Sequence, residues 1–163
     1  MNLVNIEENK IDLTEFGDYK LLLFYFASPD CPLSNEYSRA IKEFANRDTT
    51  DMNIKTFVVF CGKLYSKKEI TNFMVRNKIE AETVFDTEYK LKNYLNASVT
   101  PEVFLVKNNF EVIYQGCIDN KYVSVKEQRK MASEYYLADA IKKGLINELP
   151  KVKFTKPVGC FIE

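Results

Sequence analysis

The segment KLLLFYFASPDCPLS, at residues 20–34, contains the junction that decides the fold. Residues 20–27 form a nearly continuous apolar run, whose length and aromatic content are typical of a strand buried on both faces of an α/β sheet. A polar break follows at residues 28–30, and residues 32–47 then carry apolar side chains at helical spacing. The segment therefore predicts a central strand that leads through a short loop into a long helix, with Cys31 between the two.

The rest of the chain predicts further strands and helices that extend this unit. The remaining predicted elements, in chain order, are a strand at 55–61, a helix from Ser66 to Lys78, a short strand at 82–85, a helix capped by Asp86 or Thr87 that ends at Leu95, a hairpin of strands at 102–107 and 110–114, and a helix at 133–144. Ser66 and Glu69 have the spacing of a capping box, and Asn108 with Asn109 is a tight-turn signal.

This order gives two parallel strands from a β-α-β unit and an antiparallel hairpin that completes a mixed sheet. It is the order of the thioredoxin fold, in which helices cover both faces of a central mixed sheet. The length of 163 residues fits one domain, so we expect a single thioredoxin-like domain over residues 1–163. Residues 1–19 are expected to form an N-terminal extension, and residues 147–163 an extended C-terminal arm.

The charge balance restricts the classes of partner. The chain has 23 basic and 23 acidic residues, which argues against a nucleic-acid or acidic-membrane partner. No run of about 18 apolar residues occurs, so we expect no membrane insertion. Residues 1–10 have neither the basic start nor the apolar centre of a secretory signal. We therefore expect a cytoplasmic location for the sequence as it stands, and export if a leader has been removed from it; the sequence does not indicate an oligomeric state.

The nucleophilic and metal-binding side chains also exclude several mechanisms. The chain contains no histidine, which excludes Ser–His and Cys–His catalytic pairs and histidine-ligated metals. Its four cysteines, Cys31, Cys61, Cys117 and Cys160, are not spaced as the close pairs of a structural zinc site, so we expect no metal. Four thiols allow three complete disulfide pairings, and all three stay open at this point. Cysteine is then the best remaining nucleophile.

Cys31 stands where the predicted central strand gives way to the predicted helix. Pro32 follows it, and proline is favoured at the first helical position, so we expect Cys31 at or next to the N-cap. Free backbone N–H groups and the positive end of the helix dipole favour a thiolate there and lower the thiol pKa below about 8.5. The neighbouring Asp30 opposes this, because one negative charge disfavours a second. On balance we expect a lowered pKa and a reactive Cys31, not an inert packing residue.

Residues 24–34, followed by an amphipathic helix, resemble the active-site segment of the thioredoxin-like redoxin family. That family includes thiol–disulfide oxidoreductases and the alkyl-hydroperoxide-reductase and peroxiredoxin relatives. The sequence VTPE at 99–102 is similar to the family's cis-proline loop. The sequence TKPVGCFI at 155–162 is similar to the tail of a subgroup, and we place this chain with redoxins that combine a CPxS segment with a KPVGC tail.

The resemblance implies a thioredoxin fold with Cys31 as the nucleophile. It implies that Pro32, Thr100 and Pro101 bind the substrate and that the Thr100–Pro101 peptide bond is cis. The implied partners are protein or small-molecule thiols and disulfides. No organic cofactor or metal is implied, and a cellular dithiol is needed to regenerate the protein.

Several residues depart from the family's best-known patterns. Ser34 stands where thioredoxins have a second cysteine, so the local disulfide is missing, and we expect its hydroxyl to stabilise the Cys31 thiolate. Tyr25 replaces the strand carboxylate that accepts a proton in thioredoxins. Ser28 matches the peroxiredoxin hydroxyl three residues before the cysteine, but Phe24 stands where those proteins have proline.

Cys160 is the candidate for a second catalytic thiol. From Ile146 to Cys160 an extended arm spans about 46 Å at roughly 3.3 Å per residue. A domain of this size has a radius of gyration of about 15 Å. The arm can therefore reach Cys31, although Cys160 as a packed anchor is an equal alternative. Cys61, at the carboxyl edge of the neighbouring strand, is expected to pack in the core, with a second thiol near the site as the alternative. Cys117 is expected to be structural or a surface thiol.

Three functional hypotheses follow. The first is a thiol-dependent redox protein, which exchanges or reduces disulfides through a single nucleophilic cysteine in its Cys-Pro-Leu-Ser segment. The second is a thiol peroxidase in which Cys31 becomes a sulfenic acid that another thiol resolves. The third is a non-catalytic thioredoxin-fold module that holds a partner at the Pro101 loop.

Overall fold

The computed structural model describes residues 3–46 and 53–163. The described strands are β1 (Leu3–Val4), β2 (Lys10–Ile11), β3 (Leu21–Phe26), β4 (Ile54–Cys61), β5 (Glu82–Asp86), β6 (Val99–Thr100), β7 (Glu102–Lys107), β8 (Val112–Gly116), β9 (Tyr122–Ser124), β10 (Glu127–Gln128) and β11 (Cys160–Phe161). The described helices are α1 (Pro32–Ala45), α2 (Lys67–Arg76), α3 (Lys90–Leu95) and α4 (Tyr136–Leu145), with a 3-10 turn at Leu13–Phe16.

The apolar run at 20–27 contains β3, the central strand of the mixed sheet. Every residue of β3 is buried, which explains why the run shows no alternation of polar and apolar residues. β3 runs parallel to β4 and antiparallel to β7, with Phe24 opposite both Phe57 and Phe104. The seven strands of this sheet follow the order β2-β1-β5-β4-β3-β7-β8.

Helices cover both faces of the sheet, as predicted. Alternate residues of β3 enter two different cores, because successive side chains of a strand point to opposite faces. Leu21 and Leu23 belong to the core beneath α1, α2 and α4. Leu22 and Phe24 belong to the opposite core, which α3 and the strands β1 and β2 cover. The two β-α-β crossovers step in the same direction across the sheet, so α1 and α2 share one face.

The predicted starts of α1 and α2 are confirmed. α1 begins at Pro32 and ends at Ala45; the predicted end at Arg47 lies outside the described residues. The capping box of α2 is complete, since Ser66 Oγ accepts from the Glu69 N–H at 3.3 Å and the Glu69 carboxylate accepts from the Ser66 N–H at 2.8 Å.

The predicted two-residue turn at Asn108 and Asn109 is wrong. The loop between β7 and β8 has a third residue, Phe110, with φ of 66°. The Phe110 N–H donates to the Lys107 carbonyl at 2.9 Å, and the Lys107 N–H donates to the Glu111 carbonyl at 2.9 Å. This is the three-residue hairpin loop in which a turn is followed by a left-handed residue.

Two predicted helix starts also need correction. The N-cap residue of α3 is Tyr89, not Asp86 or Thr87. Asp86 nevertheless caps the helix from the end of β5, because its carboxylate accepts from the Lys92 N–H at 2.7 Å.

α4 begins at Tyr136 and not at residue 133. The N–H groups of Ser133 and Glu134 donate instead to the Asn120 side-chain oxygen, at 2.9 and 3.1 Å. These bonds hold the residues before Tyr136 outside the helix.

The N-terminal extension contributes two strands that the sequence does not predict. β1 pairs with β2 and joins the sheet beside β5, where Val4 lies opposite Phe85. A separate ribbon of β9 and β10 is also unpredicted. These strands have two or three residues each, which is too short for a recognisable period.

The C-terminal arm is extended and ordered against the rest of the chain. Thr155 donates its N–H to the Gln115 carbonyl at 3.0 Å, which places the middle of the arm beside β8. The arm then crosses to β6, where β11 pairs antiparallel with Val99 and Thr100. Within residues 3–46 and 53–163, no helix has the length and apolar character needed to cross a membrane.

Candidate active site

Cys31 occupies the N-cap of α1, directly before Pro32. Its backbone is extended, and its side chain makes no capping bond to the helix, so the sulfur is free to interact elsewhere. The thiol donates to the backbone carbonyl of Thr100 at 3.1 Å. Cys31 is only 1% exposed, and it lies between the start of the helix and the loop that carries Pro101.

The Cys31 loop and the Pro101 loop are linked by a second hydrogen bond. The hydroxyls of Ser28 and Thr100 lie 2.8 Å apart. The Thr100–Pro101 peptide bond is cis, and both residues are buried, whereas Pro32 is exposed. The structure therefore places Thr100 against Cys31, with Pro101 next to it in the same loop, and leaves Pro32 on the outer surface of the first helical turn.

Glu102 holds the strand that carries Thr100. Its carboxylate accepts from the backbone N–H groups of Ser98 and Val99 at 2.8 and 3.4 Å. Glu102 is 2% exposed, and burial raises its pKa against the lowering effect of these hydrogen bonds. Sequence analysis missed this role, because the signal is only an acidic residue directly after a proline at a strand start.

Ser34 lies inside the first turn of α1 and is fully buried. Its hydroxyl oxygen accepts from the Ser28 N–H at 3.2 Å, which closes the loop around the sulfur. The carbonyl of Ser34 accepts from the hydroxyls of Tyr25 and Ser38 at 2.8 and 2.7 Å. Tyr25, which replaces the thioredoxin carboxylate, thus supports the helix start from the strand below.

Cys160 reaches the site because the C-terminal arm pairs with β6. It lies opposite Thr100 in the antiparallel register, and the Ile162 N–H donates to the Ser98 carbonyl at 3.1 Å. Cys160 and Cys31 are both free thiols that line the same cavity. The arm thus brings Cys160, 129 positions along the chain, beside Cys31.

The four thiols divide by pKa. Burial opposes ionisation of Cys31, but the polar groups of Cys160 and Ser34 near its sulfur outweigh burial and lower the Cys31 pKa. Burial and the neighbouring Cys31 raise the pKa of Cys160 to about 12. Burial, helped by the Asp86 charge, raises the pKa of Cys61 to about 12. Burial also raises the pKa of Cys117.

A cavity of about 300 Å³ opens beside Cys31 and Cys160. Cys61 also lines it, together with Asp30 and Tyr65, whose hydroxyl donates to the Asp30 carboxylate. Cys61 is half-buried: it packs against the core beneath α3, as expected, and also lines the cavity. Tyr65 lies in the loop before α2, and no pattern in the sequence connects it with Cys31.

Cys117 lies away from this cavity and fastens the arm. Its thiol donates to the Lys156 carbonyl at 3.2 Å, and its N–H donates to the Thr155 hydroxyl at 2.8 Å. The expected structural role agrees with these contacts. In the part of the chain that the structure describes, no group of three or more cysteine or carboxylate side chains is arranged to hold a metal ion.

Comparison with solved structures shows which proteins this chain resembles in fold. A hypothetical protein from Sinorhizobium meliloti 1021 has a TM-score of 0.83 at 19% identity, covering 99% of this chain and 89% of that one. An uncharacterised conserved protein from Geobacillus kaustophilus has a TM-score of 0.82 at 16% identity, covering 100% and 87%. A secreted disulfide oxidoreductase of Mycobacterium tuberculosis has a TM-score of 0.58 at 12% identity, covering 69% and 79%.

These likenesses, together with the sheet order, show that the chain has the thioredoxin fold. No protein-family model matches the chain, and no curated protein matches it. The structural neighbours include thioredoxin-like thiol–disulfide oxidoreductases, from Mycobacterium tuberculosis among others.

Proposed function

We propose that this protein is a thiol–disulfide oxidoreductase with Cys31 as its nucleophile. The observation that carries the proposal is the position of Cys31 between the start of α1 and the Thr100 carbonyl, with the Cys160 side chain beside it. A lowered pKa supplies thiolate, which is the form that attacks disulfides. Thioredoxin-like oxidoreductases among the structural neighbours support the same class of chemistry.

The first step is attack by the Cys31 thiolate on one sulfur of a substrate disulfide. A bond forms between Cys31 and that sulfur, the substrate S–S bond breaks, and the other substrate sulfur leaves as a thiolate that takes a proton from water. Ser34, in the first turn of α1, lowers the Cys31 pKa and so stabilises the attacking thiolate. Thr100, which lines the cavity, forms part of the wall against which the substrate is held, and Pro101 fixes the turn of the loop that carries it.

The second step is attack by Cys160 on the Cys31 sulfur of the mixed disulfide. The second substrate thiolate leaves, and a Cys31–Cys160 disulfide forms, so one substrate disulfide has been reduced and one protein dithiol oxidised. An external dithiol then reduces the protein by two further exchanges.

The high pKa of Cys160 fits this order of events. Burial raises it first, and the hydrogen bond and charge of Cys31 raise it further. Once Cys31 is part of a mixed disulfide it carries no charge, so both contributions of Cys31 to the Cys160 pKa disappear, whereas those of burial and of the Asp30 charge remain. Cys160 thus becomes a better nucleophile only after the first step has occurred.

The thiol peroxidase remains the second candidate, because Cys31 and Ser28 line one cavity as a peroxidatic pair would. The described cavity lining contains two carboxylates, Asp30 and Glu163. It contains no lysine or arginine that could stabilise a departing hydroxide. This favours disulfides over hydroperoxides as substrates.

A reduction assay tests the proposal. The protein is mixed with bis(2-hydroxyethyl) disulfide and dithiothreitol, and the Cys31→Ser variant is expected to lose at least about 99% of the accelerated reduction, since a serine hydroxyl is not ionised at neutral pH. Cys117→Ser is the matched control and should retain activity. Hydrogen peroxide consumption in place of disulfide reduction would support the thiol peroxidase. If the protein accelerates neither reaction, the hypothesis of a non-catalytic thioredoxin-fold module is the one that stands.

A further inference from the structure

The C-terminal arm occupies the strand edge beside the Cys31 sulfur. β6 is two residues long, and β11 pairs with it in a sheet of only these two strands. An extended polypeptide joins a protein by adding a strand to a free edge, where its backbone hydrogen bonds give affinity. Cys160, which lies opposite Thr100, shows the position at which a sulfur carried on such a strand comes next to Cys31.

We propose that the docked arm restricts Cys31 to small disulfides and excludes disulfides carried on extended polypeptide chains, with Gly159 setting this selectivity. The inference rests on the proposed thiol–disulfide exchange at Cys31 and names its class of substrate. A polypeptide that brought its sulfur to Cys31 by strand addition would need the edge of β6 that β11 already holds.

Gly159 brings the arm into direct backbone contact with the Pro101 loop. A Cβ atom at this position would lie 2.2 Å from the Thr100 carbonyl oxygen and 3.0 Å from the Pro101 nitrogen. Real Cβ atoms essentially never come as close as 2.2 Å to another atom, and both of these neighbouring atoms belong to backbone. The gap between arm and loop is therefore closed, and a second chain does not fit between them.

Contacts on both sides of Gly159 hold the arm in this position. On one side, the Thr155 hydroxyl accepts from the Cys117 N–H at 2.8 Å. On the other, the Ile162 N–H donates to Ser98, and the Ile162 side chain packs against the core beneath α3. The Tyr89 hydroxyl donates to the Glu163 carbonyl at 2.7 Å. The seat of the arm is thus fixed at several points, and not by Cys160 alone.

What remains open to a substrate is the cavity beside the arm. Its volume of about 300 Å³ is at the lower end for small-molecule pockets, which span roughly 300–1,000 Å³. Cys31 lines this cavity but is only 1% exposed, so a substrate sulfur must enter the cavity to reach it. A disulfide flanked by short substituents meets this condition, whereas one embedded in a folded or extended chain does not.

The test measures the first exchange step alone. In a Cys160→Ser background the mixed disulfide on Cys31 persists, and intact-protein mass spectrometry gives its rate of formation. The two probes are bis(2-hydroxyethyl) disulfide and insulin. The ratio of the insulin rate to the small-disulfide rate cancels any change in the thiolate fraction of Cys31, because that fraction enters both rates equally.

Gly159→Ala displaces the arm, and Gly17→Ala is the matched control, since a Cβ there meets only the Thr14 carbonyl oxygen at 3.5 Å. If the form with the arm displaced makes up about 10% or less of the parent protein, and Gly159→Ala makes it the main form, the ratio should rise at least about tenfold for Gly159→Ala. Gly17→Ala should leave the ratio unchanged. Ile162→Asp is a second variant that displaces the arm, and it is expected to raise the ratio in the same way. It serves as the test if the Gly159→Ala protein fails to fold.

The remaining outcomes separate the two levels of the proposal. If insulin reacts as fast as the small disulfide in the parent, and both displacing variants leave the ratio unchanged, the selectivity is overturned while the exchange chemistry stands. If neither probe modifies Cys31 in any variant, the proposed function itself is overturned, and the selectivity with it.

Discussion

Cys160 lies directly opposite Thr100 in an antiparallel strand pair, and Thr100 in turn accepts the hydrogen bond of the Cys31 thiol. Thr100 thus contacts both residues, Cys31 through its carbonyl oxygen and Cys160 through strand pairing, although the two cysteines are 129 positions apart in the chain. The relationship explains why a Cys-Pro-Leu-Ser segment with no local second cysteine still has a partner thiol beside it.

The first prediction concerns the reactivity of Cys31. Its pKa is lowered, whereas those of Cys61 and Cys160 are raised to about 12, so Cys31 holds most of the thiolate at neutral pH. We expect iodoacetamide to modify Cys31 first at pH 7, with a rate that reaches half its plateau at a lower pH than the rates of Cys61 and Cys160. Peptide mass spectrometry of samples quenched at intervals measures this. Faster labelling of Cys61 or Cys117 would contradict the site.

A second prediction separates Ser34 from its neighbour Ser38. Ser34→Ala removes the hydroxyl that stabilises the Cys31 thiolate and leaves the Ser28 N–H without its acceptor. We expect the Cys31 pKa to rise and the free energy of unfolding to fall by about 1–3 kcal/mol.

Ser38→Ala is the control for that experiment. Its hydroxyl donates to the same Ser34 carbonyl but makes no contact that shifts the Cys31 pKa. The pH profile of alkylation should therefore move for Ser34→Ala only. Equal shifts in both variants would show that the effect passes through the helix start and not through the Ser34 hydroxyl.

A third prediction concerns Glu102 and the pH dependence of stability. Burial raises its pKa in the folded protein above the ordinary value of 4.5. The folded state therefore holds this proton more tightly than the unfolded state, and the resulting stability is full below pH 4.5 and is lost as the pH rises through the folded pKa. We expect Glu102→Gln to lack this loss, so the parent should lose stability relative to the variant as the pH rises above 4.5.

Glu111→Gln serves as the comparison, measured by urea unfolding across the same pH range. The Glu111 carboxylate pairs with Lys107 at 2.9 Å on the surface, which lowers its pKa. Its contribution consequently has the opposite sign and is lost as the pH falls. The same sign for both variants would contradict the burial of a raised-pKa carboxyl group at Glu102.

The parts of the fold that short-range patterns describe could be predicted from the sequence. The apolar run at 20–27 and Pro32 after Cys31 are local signals, and both elements lie where expected. The loop at 108–110 was predicted too short, because its left-handed residue is a phenylalanine and not a glycine. Residue type alone does not reveal a backbone conformation that a side chain seldom adopts.

Sequence reasoning proposed candidate site residues from two short segments, the one around Cys31 and the Thr100–Pro101 loop. Cys31, Ser34 and the Thr100–Pro101 loop were accessible to sequence reasoning, whereas the seat of Cys160 depends on a strand pair across 60 positions, and reach alone left it undecided. Tyr65 and Glu102 act through contacts with Asp30 and the Ser98 backbone, which only the folded chain brings together.

The most direct test of the central claim is a disulfide map after stoichiometric oxidation. The reduced protein is treated with bis(2-hydroxyethyl) disulfide, free thiols are blocked at low pH, and non-reduced peptides are identified by mass spectrometry. The account predicts one bond, between Cys31 and Cys160, with Cys61 and Cys117 blocked as free thiols. A bond from Cys31 to Cys61, or a stable mixed disulfide on Cys31 while Cys160 stays reduced, would contradict it.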